Sequence, residues 1–253
     1  MLIVYIFIIF LVGASFGSFL NVLIDRLPRG ESVFRGRSKC ESCHKDLAAR
    51  DLIPIISYFA LSGRCRYCHT KIPKRLPIVE IGSASIASAL FLYSINTNLP
   101  PILPVLLFVI ILSFLGIFFT DLAYGIIPDE LTIAIIISAI PLLILSKPNL
   151  LPQHFLVGII SLLLFLGLYV LTHGRGMGAG DVKLAGAIGF FLGFPKIIIG
   201  FYVAFLTAMI VSIILILMSR KKLKGDTIAF GPFLSIGAVA GYFLGIRILD
   251  LFL

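Results

Sequence analysis

Charge is scarce in this chain. Only 13% of its 253 residues are Asp, Glu, Lys or Arg, against roughly 25% in soluble domains, so an ordinary soluble fold is excluded. Acids are scarcer still, 12 against 21 Lys and Arg. Cysteine is confined: all four lie between positions 40 and 68. No internal repeat and no low-complexity linker stands out, which counts against a transporter built from repeated halves. The apolar runs do not alternate with polar residues, so the strands of a membrane barrel are excluded. No positive charge precedes the first run, residues 2–24, whereas Arg26 and Arg29 follow it. A secretory signal has a positive start and a shorter apolar core, so a retained helix with its N-terminus outside is expected.

What remains is apolar. Hydrophobic residues make up 59% of the chain, with a mean hydropathy of +1.11. After 2–24, runs at about 78–95, 101–120, 130–146, 154–172, 182–194, 197–218 and 229–249 read as spans, each near the length a bilayer requires except the short one at 182–194. Pro100, Pro104, Pro128, Pro148, Pro152 and Pro195 stand at or near their ends, as helix punctuation does. The expected fold is an all-α polytopic membrane protein with about eight transmembrane helices and a small zinc-ribbon-like cytosolic insert. It divides into a first helix at 1–24, the insert at 25–77 and a seven-helix membrane domain at 78–253.

The charges that exist are unevenly placed. Twelve of the 21 Lys and Arg lie in residues 25–77. With eight spans starting outside, the inner segments, including 219–228, hold 18 of the 21, and the outer ones only Lys147, Lys196 and Arg247. That asymmetry follows the positive-inside rule. It also puts Asp121 and Asp181 at the same, cytosolic, face. For the basic insert, anionic lipid headgroups are the expected contact, and nucleic acid is not.

The insert carries Cys40-x-x-Cys43 and Cys65-x-x-Cys68, with 21 residues between the pairs. Two such knuckles can close a tetrahedral site of four thiolates, which suits structural zinc. In a reducing cytosol metal is favoured over disulfides. His44 and His69 each follow a knuckle, but four cysteines already suffice. A small polar insert has little core, and metal binding could supply its folding energy.

Carboxylates at membrane edges are expensive and usually face an interior or a watery cavity. Asp121 follows the apolar run 106–120, and Asp181 stands in Gly178-Ala179-Gly180-Asp181-Val182-Lys183-Leu184. Two such acids suggest the pair of an aspartyl protease, one a base on water and the other an acid. Helix capping is the competing reading for Asp181, and the stronger one for Asp129 and Glu130. Gly178 and Gly180 would let an extended peptide approach the backbone. Lys183 would tune a carboxylate, orient substrate or snorkel to the interface. Glu80 is a helix-start acid or a grip for a cationic group. The run Gly13-Ala14-Ser15-Phe16-Gly17-Ser18 reads first as close helix packing. Gly174-Arg175-Gly176-Met177-Gly178-Ala179 matches a dinucleotide fingerprint only formally, because no strand precedes it. His154 and His173 receive no role.

Together these residues resemble the bacterial type IV prepilin peptidases, the leader peptidase/N-methyltransferases of pilus, type II secretion and competence systems. The likeness runs through Gly17-Ser18-Phe19-Leu20-Asn21-Val22, Arg26-Leu27-Pro28, both cysteine pairs, Arg75-Leu76-Pro77-Ile78-Val79-Glu80, Asp121 with Pro128-Asp129, and the Gly-x-Gly-Asp stretch ending at Asp181. Leu76 stands where an aromatic is common. The resemblance implies cleavage of prepilin and pseudopilin leaders after a glycine, at the cytosolic face of the bacterial inner membrane, with Asp121 and Asp181 as the catalytic pair. It further implies methylation of the new N-terminus by S-adenosylmethionine. The residues alone place no methyl-donor pocket, and Glu80 and the insert are the candidates. A transporter, or a secretion-assembly platform with a zinc-stapled module, is the alternative.

Overall fold

The structure is a computed structural model that describes residues 1–218 and 229–252 except Phe34 and Arg175, without the side chains of residues 246, 247 and 249–252. The expected inner loop 219–228, Arg175 and the Arg247 side chain lie outside the described residues. Backbone buried in lipid must satisfy its own hydrogen bonds, and the apolar runs accordingly form helices. These are α1 (Leu2–Arg26), α2 (Ile56–Ala60), α3 (Arg75–Thr97), α4 (Ile102–Tyr124), α5 (Asp129–Ser146), α6 (Leu151–Leu171), α7 (Ala179–Leu192), α8 (Lys196–Leu217) and α9 (Gly231–Phe252). No strand occurs among the described residues, only the isolated bridges Lys39–Asp46 and Arg64–Lys71.

All eight expected spans coincide with helices. Among the described residues six, those of α1, α3, α4, α5, α6 and α8, are long and apolar enough to cross a membrane. The 14 residues of α7 reach only about 21 Å at 1.5 Å per residue, short of a hydrocarbon core of roughly 30 Å. In α9 the apolar stretch is Gly231–Gly245.

The chain forms two compact units, Met1–Phe108 and Val109–Leu253. In the first, α1 and α3 lie antiparallel. Their approach is so close that a Cβ on Gly17 would stand 2.7 Å from the Glu80 Cα, and one on Gly13 would stand 2.8 Å from the Ala84 Cα. Ser83 Oγ donates to the Gly13 carbonyl at 2.6 Å. The small-residue run is therefore a packing face. Polar groups line the same seam: Arg75 grips both oxygens of Asp25 at 2.7 Å, and Asn21 Nδ2 donates to the Leu76 carbonyl at 3.1 Å.

The insert holds a repeat that its sequence did not announce. In the first knuckle Cys40 N–H bonds Lys45 O, His44 N–H bonds Cys40 O and Leu47 N–H bonds Ser38 O. In the second, Cys65 N–H bonds Thr70 O, His69 N–H bonds Cys65 O and Ile72 N–H bonds Gly63 O. The offset is 25 residues throughout, so residues 38–47 and 63–72 are two copies of one hairpin. His44 and His69 occupy the same left-handed position, φ 56 and 58, a conformation in which histidine is enriched among residues other than glycine.

In the second unit α7 is the centre. Every residue from Asp181 to Leu192 except Lys183 is buried. Helix α6 packs on it through small residues: a Cβ on Gly189 would stand 2.8 Å from the Ser161 Cβ. His154 Nδ1 meets the Phe190 carbonyl at 2.8 Å, a tie between α6 and α7.

Candidate functional site

Asp121 lies in the last turn of α4. The helix runs four residues past the span expected at about 101–120, to Tyr124, and breaks at Gly125, where φ is +66. The Gly125 N–H still completes a helical bond to the Asp121 carbonyl, at 2.9 Å. The side chain turns inward, 6% exposed, and its Oδ2 accepts the Gly231 N–H at 2.8 Å. Gly231 is the first residue of α9, whose leading N–H groups have no helical partner.

Asp181 is the third residue of α7 and 7% exposed. Its Oδ2 accepts the Gly178 N–H at 3.0 Å, the half of a capping box that an acid at the third helical position makes. The capping reading thus holds for one oxygen. The other, Oδ1, is buried with no hydrogen-bond partner among the described residues. The charge of Asp121 acts on Asp181, so the two carboxylates, brought from α4 and α7 and both buried, lie within electrostatic reach of each other. Each keeps one oxygen on a backbone amide. An unpartnered buried carboxylate oxygen is costly in a purely structural role.

The remaining expected site residues separate. Lys183 does not turn toward Asp181; its Nζ binds both oxygens of Asp129 at 2.8 Å in a half-exposed ion pair. Asp129 is thereby accounted for as a helix-start acid of α5 with a cationic partner. At Gly180 a Cβ would come 3.0 Å from the Ile127 Cβ, so this glycine makes room for the loop that follows α4. Glu80 lies in the other unit, 8% exposed, with Oε2 accepting the Ile55 N–H at 2.7 Å and Ser18 as a second donor. Asn21 Oδ1 and Arg75 Nε, on the same α1–α3 seam, are buried without a partner among the described residues.

Gly231 escaped the reading of the sequence. Its signal was there in Gly231-Pro232, a helix start with proline in the first turn, but nothing in the chain pairs it with a residue 110 positions earlier.

The four cysteine sulfurs lie within 4.8 Å of one another, and Cys40 and Cys68 are 3.7 Å apart, at thiol hydrogen-bond distance and without a disulfide. This cluster could hold a metal ion. Its donors are uneven. The Thr70 side chain and backbone hold the Cys68 thiol down at about 6. Although the Lys45 backbone favours its thiolate, desolvation and the neighbouring Cys40 and Cys68 thiols push Cys43 up to about 11. Several thiolates at this spacing need a cation to neutralise them.

Residues 11–94 match the bacterial peptidase A24 N-terminal domain, and residues 106–217 match the type IV leader peptidase family. The chain is 28% identical to the prepilin leader peptidase/N-methyltransferase of Bacillus subtilis over 97% of both chains. It is 30% identical to the protein of that name from Aeromonas hydrophila, over 92% of this chain and 88% of the other. With that of Burkholderia pseudomallei (strain 1026b) it shares 29% identity over 92% and 83%. No solved structure matches the chain. With both buried aspartates inside the 106–217 match, all four cysteines inside the 11–94 match and relatives aligned along most of its length, the chain belongs to the type IV leader peptidase family.

Proposed function

We propose that this chain cleaves the leader from type IV prepilins or pseudopilins and methylates the amine that cleavage frees, with Asp121 and Asp181 as the catalytic pair. The observation that supports the pairing is that both aspartates are buried within reach of each other's charge, each with one oxygen fixed by a backbone amide, while Asp181 keeps Oδ1 open. Two carboxylates sharing one proton can do both halves of a hydrolysis. The ionised one takes a proton from water as the water oxygen attacks the scissile carbonyl carbon. The protonated one gives its proton to the carbonyl oxygen. As the tetrahedral intermediate collapses, the C–N bond breaks, the amine takes the proton that came from water, and a hydroxyl of the gem-diol returns its proton to the other carboxylate as the C=O reforms, leaving the pair with one proton. The fixed oxygens keep the carboxylates from drifting during this exchange.

The site belongs at the cytosolic face of a bacterial inner membrane, on the argument of the basic inner segments. Residues 25–77 then act as a cytosolic module and 78–253 as the membrane domain. Zinc is the ion that four thiolates without an open position fit; a tetrahedron of about 2.3 Å Zn–S bonds has edges of roughly 3.8 Å, near the 3.7 Å between Cys40 and Cys68. Cys40, Cys43, Cys65 and Cys68 would hold it as a structural staple. S-adenosylmethionine supplies the methyl group when bound. Glu80 is the candidate to hold an ammonium of substrate or donor, with the open acceptor Asn21 Oδ1 on the same seam.

The test is mass spectrometry of a model prepilin incubated with the purified protein, with and without S-adenosylmethionine. Loss of the leader plus one methyl on the new N-terminus is expected. Asp121→Asn and Asp181→Asn should each remain folded and abolish cleavage; cleavage by either variant removes that residue from the pair.

A further inference from the structure

One turn of the basic insert is apolar and open. Leu52, Ile53, Ile56 and Phe59 are 41, 45, 60 and 64% exposed. Between them the chain passes through Ile55 at φ 65, ψ −55, a γ-turn closed by the Ile56 N–H on the Pro54 carbonyl at 2.6 Å. That hand of γ-turn is rare and strained, and a β-branched residue at positive φ is an outlier. Strain of this kind persists only where the surroundings impose it.

Glu80 is what imposes it. The Ile55 N–H donates to its Oε2 at 2.7 Å, and Glu80 is the sixth residue of α3, about 7.5 Å along the axis from Arg75 at 1.5 Å per residue. The turn is therefore drawn down beside the second turn of a membrane-crossing helix. At that level Ile78 and Ile81 of α3 are 54 and 40% exposed, the surface a span offers to lipid. Interfacial amphipathic elements sink their apolar face by about 5–10 Å, and the depth set by Glu80 falls in that range. Arg50, Arg64, Lys71 and Lys74 around the turn are exposed, the complement of anionic headgroups. The ion pair of Arg66 with Asp51, 2.7 Å long, ties the turn to the second knuckle.

We propose that residues 52–59 are an interfacial anchor. Leu52, Ile53, Ile56 and Phe59 lie in the bilayer at the boundary of headgroups and acyl chains, on the insert's side of the membrane. The Ile55–Glu80 hydrogen bond sets their depth, and the anchor holds the cysteine knuckles against the membrane surface.

The chain has no tryptophan, so Phe59→Trp provides a single one, excited at the red edge where the eight tyrosines do not absorb. The full-length protein is reconstituted in phosphatidylcholine vesicles containing phosphatidylglycerol, with and without acyl chains brominated near the headgroup. Blue-shifted emission that loses most of its intensity to the brominated lipid is expected, while His44→Trp on the first knuckle stays red-shifted and unquenched. A Phe59→Trp emission that the brominated lipid leaves intact, in protein with native helical circular dichroism, overturns the proposal. So does emission that responds instead to protein dilution in lipid, the mark of a second copy, or only to added prepilin, the mark of a substrate surface. In the Phe59→Trp background, Glu80→Ala should lower the quenching; unchanged quenching in folded protein overturns the role of Glu80 in setting depth.

Discussion

The Asp121 carboxylate occupies the space where a side chain on Gly231 would be: a Cβ there would come 2.7 Å from Oδ2. Gly231→Ala must therefore push the carboxylate aside and weaken the bond that fixes it. A misplacement of about 1 Å can cost roughly 10²-fold in rate, so kcat/KM on a model prepilin should fall by about that factor in protein that remains helical. Wild-type kcat/KM would remove this bond from the mechanism. The thiols make a second case. At pH 7 a group held down at about 6 is mostly thiolate and one pushed up to about 11 is not, and thiolate is the reactive form. In metal-free protein, iodoacetamide should label Cys68 well before Cys43, read by peptide mass spectrometry, and bound metal should protect both. Equal labelling rates would contradict the asymmetry that Thr70 imposes.

At the level of elements the glycines of α1 decide how closely it meets α3. Gly17→Ala puts a methyl 2.7 Å from a backbone carbon, and backbone cannot rotate away as a side chain can. Overpacking of this kind costs about 1–3 kcal/mol, so a lower thermal midpoint is expected; an unchanged midpoint would mean that the helices part freely. This packing face was readable in advance, because small residues cluster in a run that is otherwise bulky. The eight helices were readable too, since long apolar stretches ended by proline or glycine leave the backbone few alternatives. What could not be read depends on pairs distant in sequence. Lys183 stood open between tuning a carboxylate, orienting substrate and snorkelling; a helix turns residue i+2 to the far side, and there its Nζ meets Asp129. Ile55 carries no turn residue's signature, and its conformation comes from Glu80, 25 positions on. The doubled hairpin was hidden because its copies share cysteines and a histidine but little else.

Over the whole molecule, chemistry is parcelled between two compact units, with the thiols and Glu80 in Met1–Phe108 and the aspartates in Val109–Leu253. Their supports differ in kind. Helix α7 is held by burial along nearly its whole length. The insert instead relies on two short hairpins in which, of the cysteines, only Cys65 is buried. A module with so little apolar interior depends on a bound ion, and structural zinc contributes about 10–16 kcal/mol in small finger peptides at neutral pH. Removing the metal should therefore act locally. Exchange of the amides that pair within residues 38–47 and 63–72 should quicken by at least about tenfold, as expected of a segment that opens on its own. The amides of α7 should keep their protection, because no sulfur ligand lies in that unit. The measurement is hydrogen–deuterium exchange with mass spectrometry before and after chelation, with metal content verified. Unchanged exchange in both hairpins would mean that the knuckles stand without an ion. Loosening that spread to α7 would mean that the two units unfold together, and that the cysteine cluster supports the catalytic unit as well as its own.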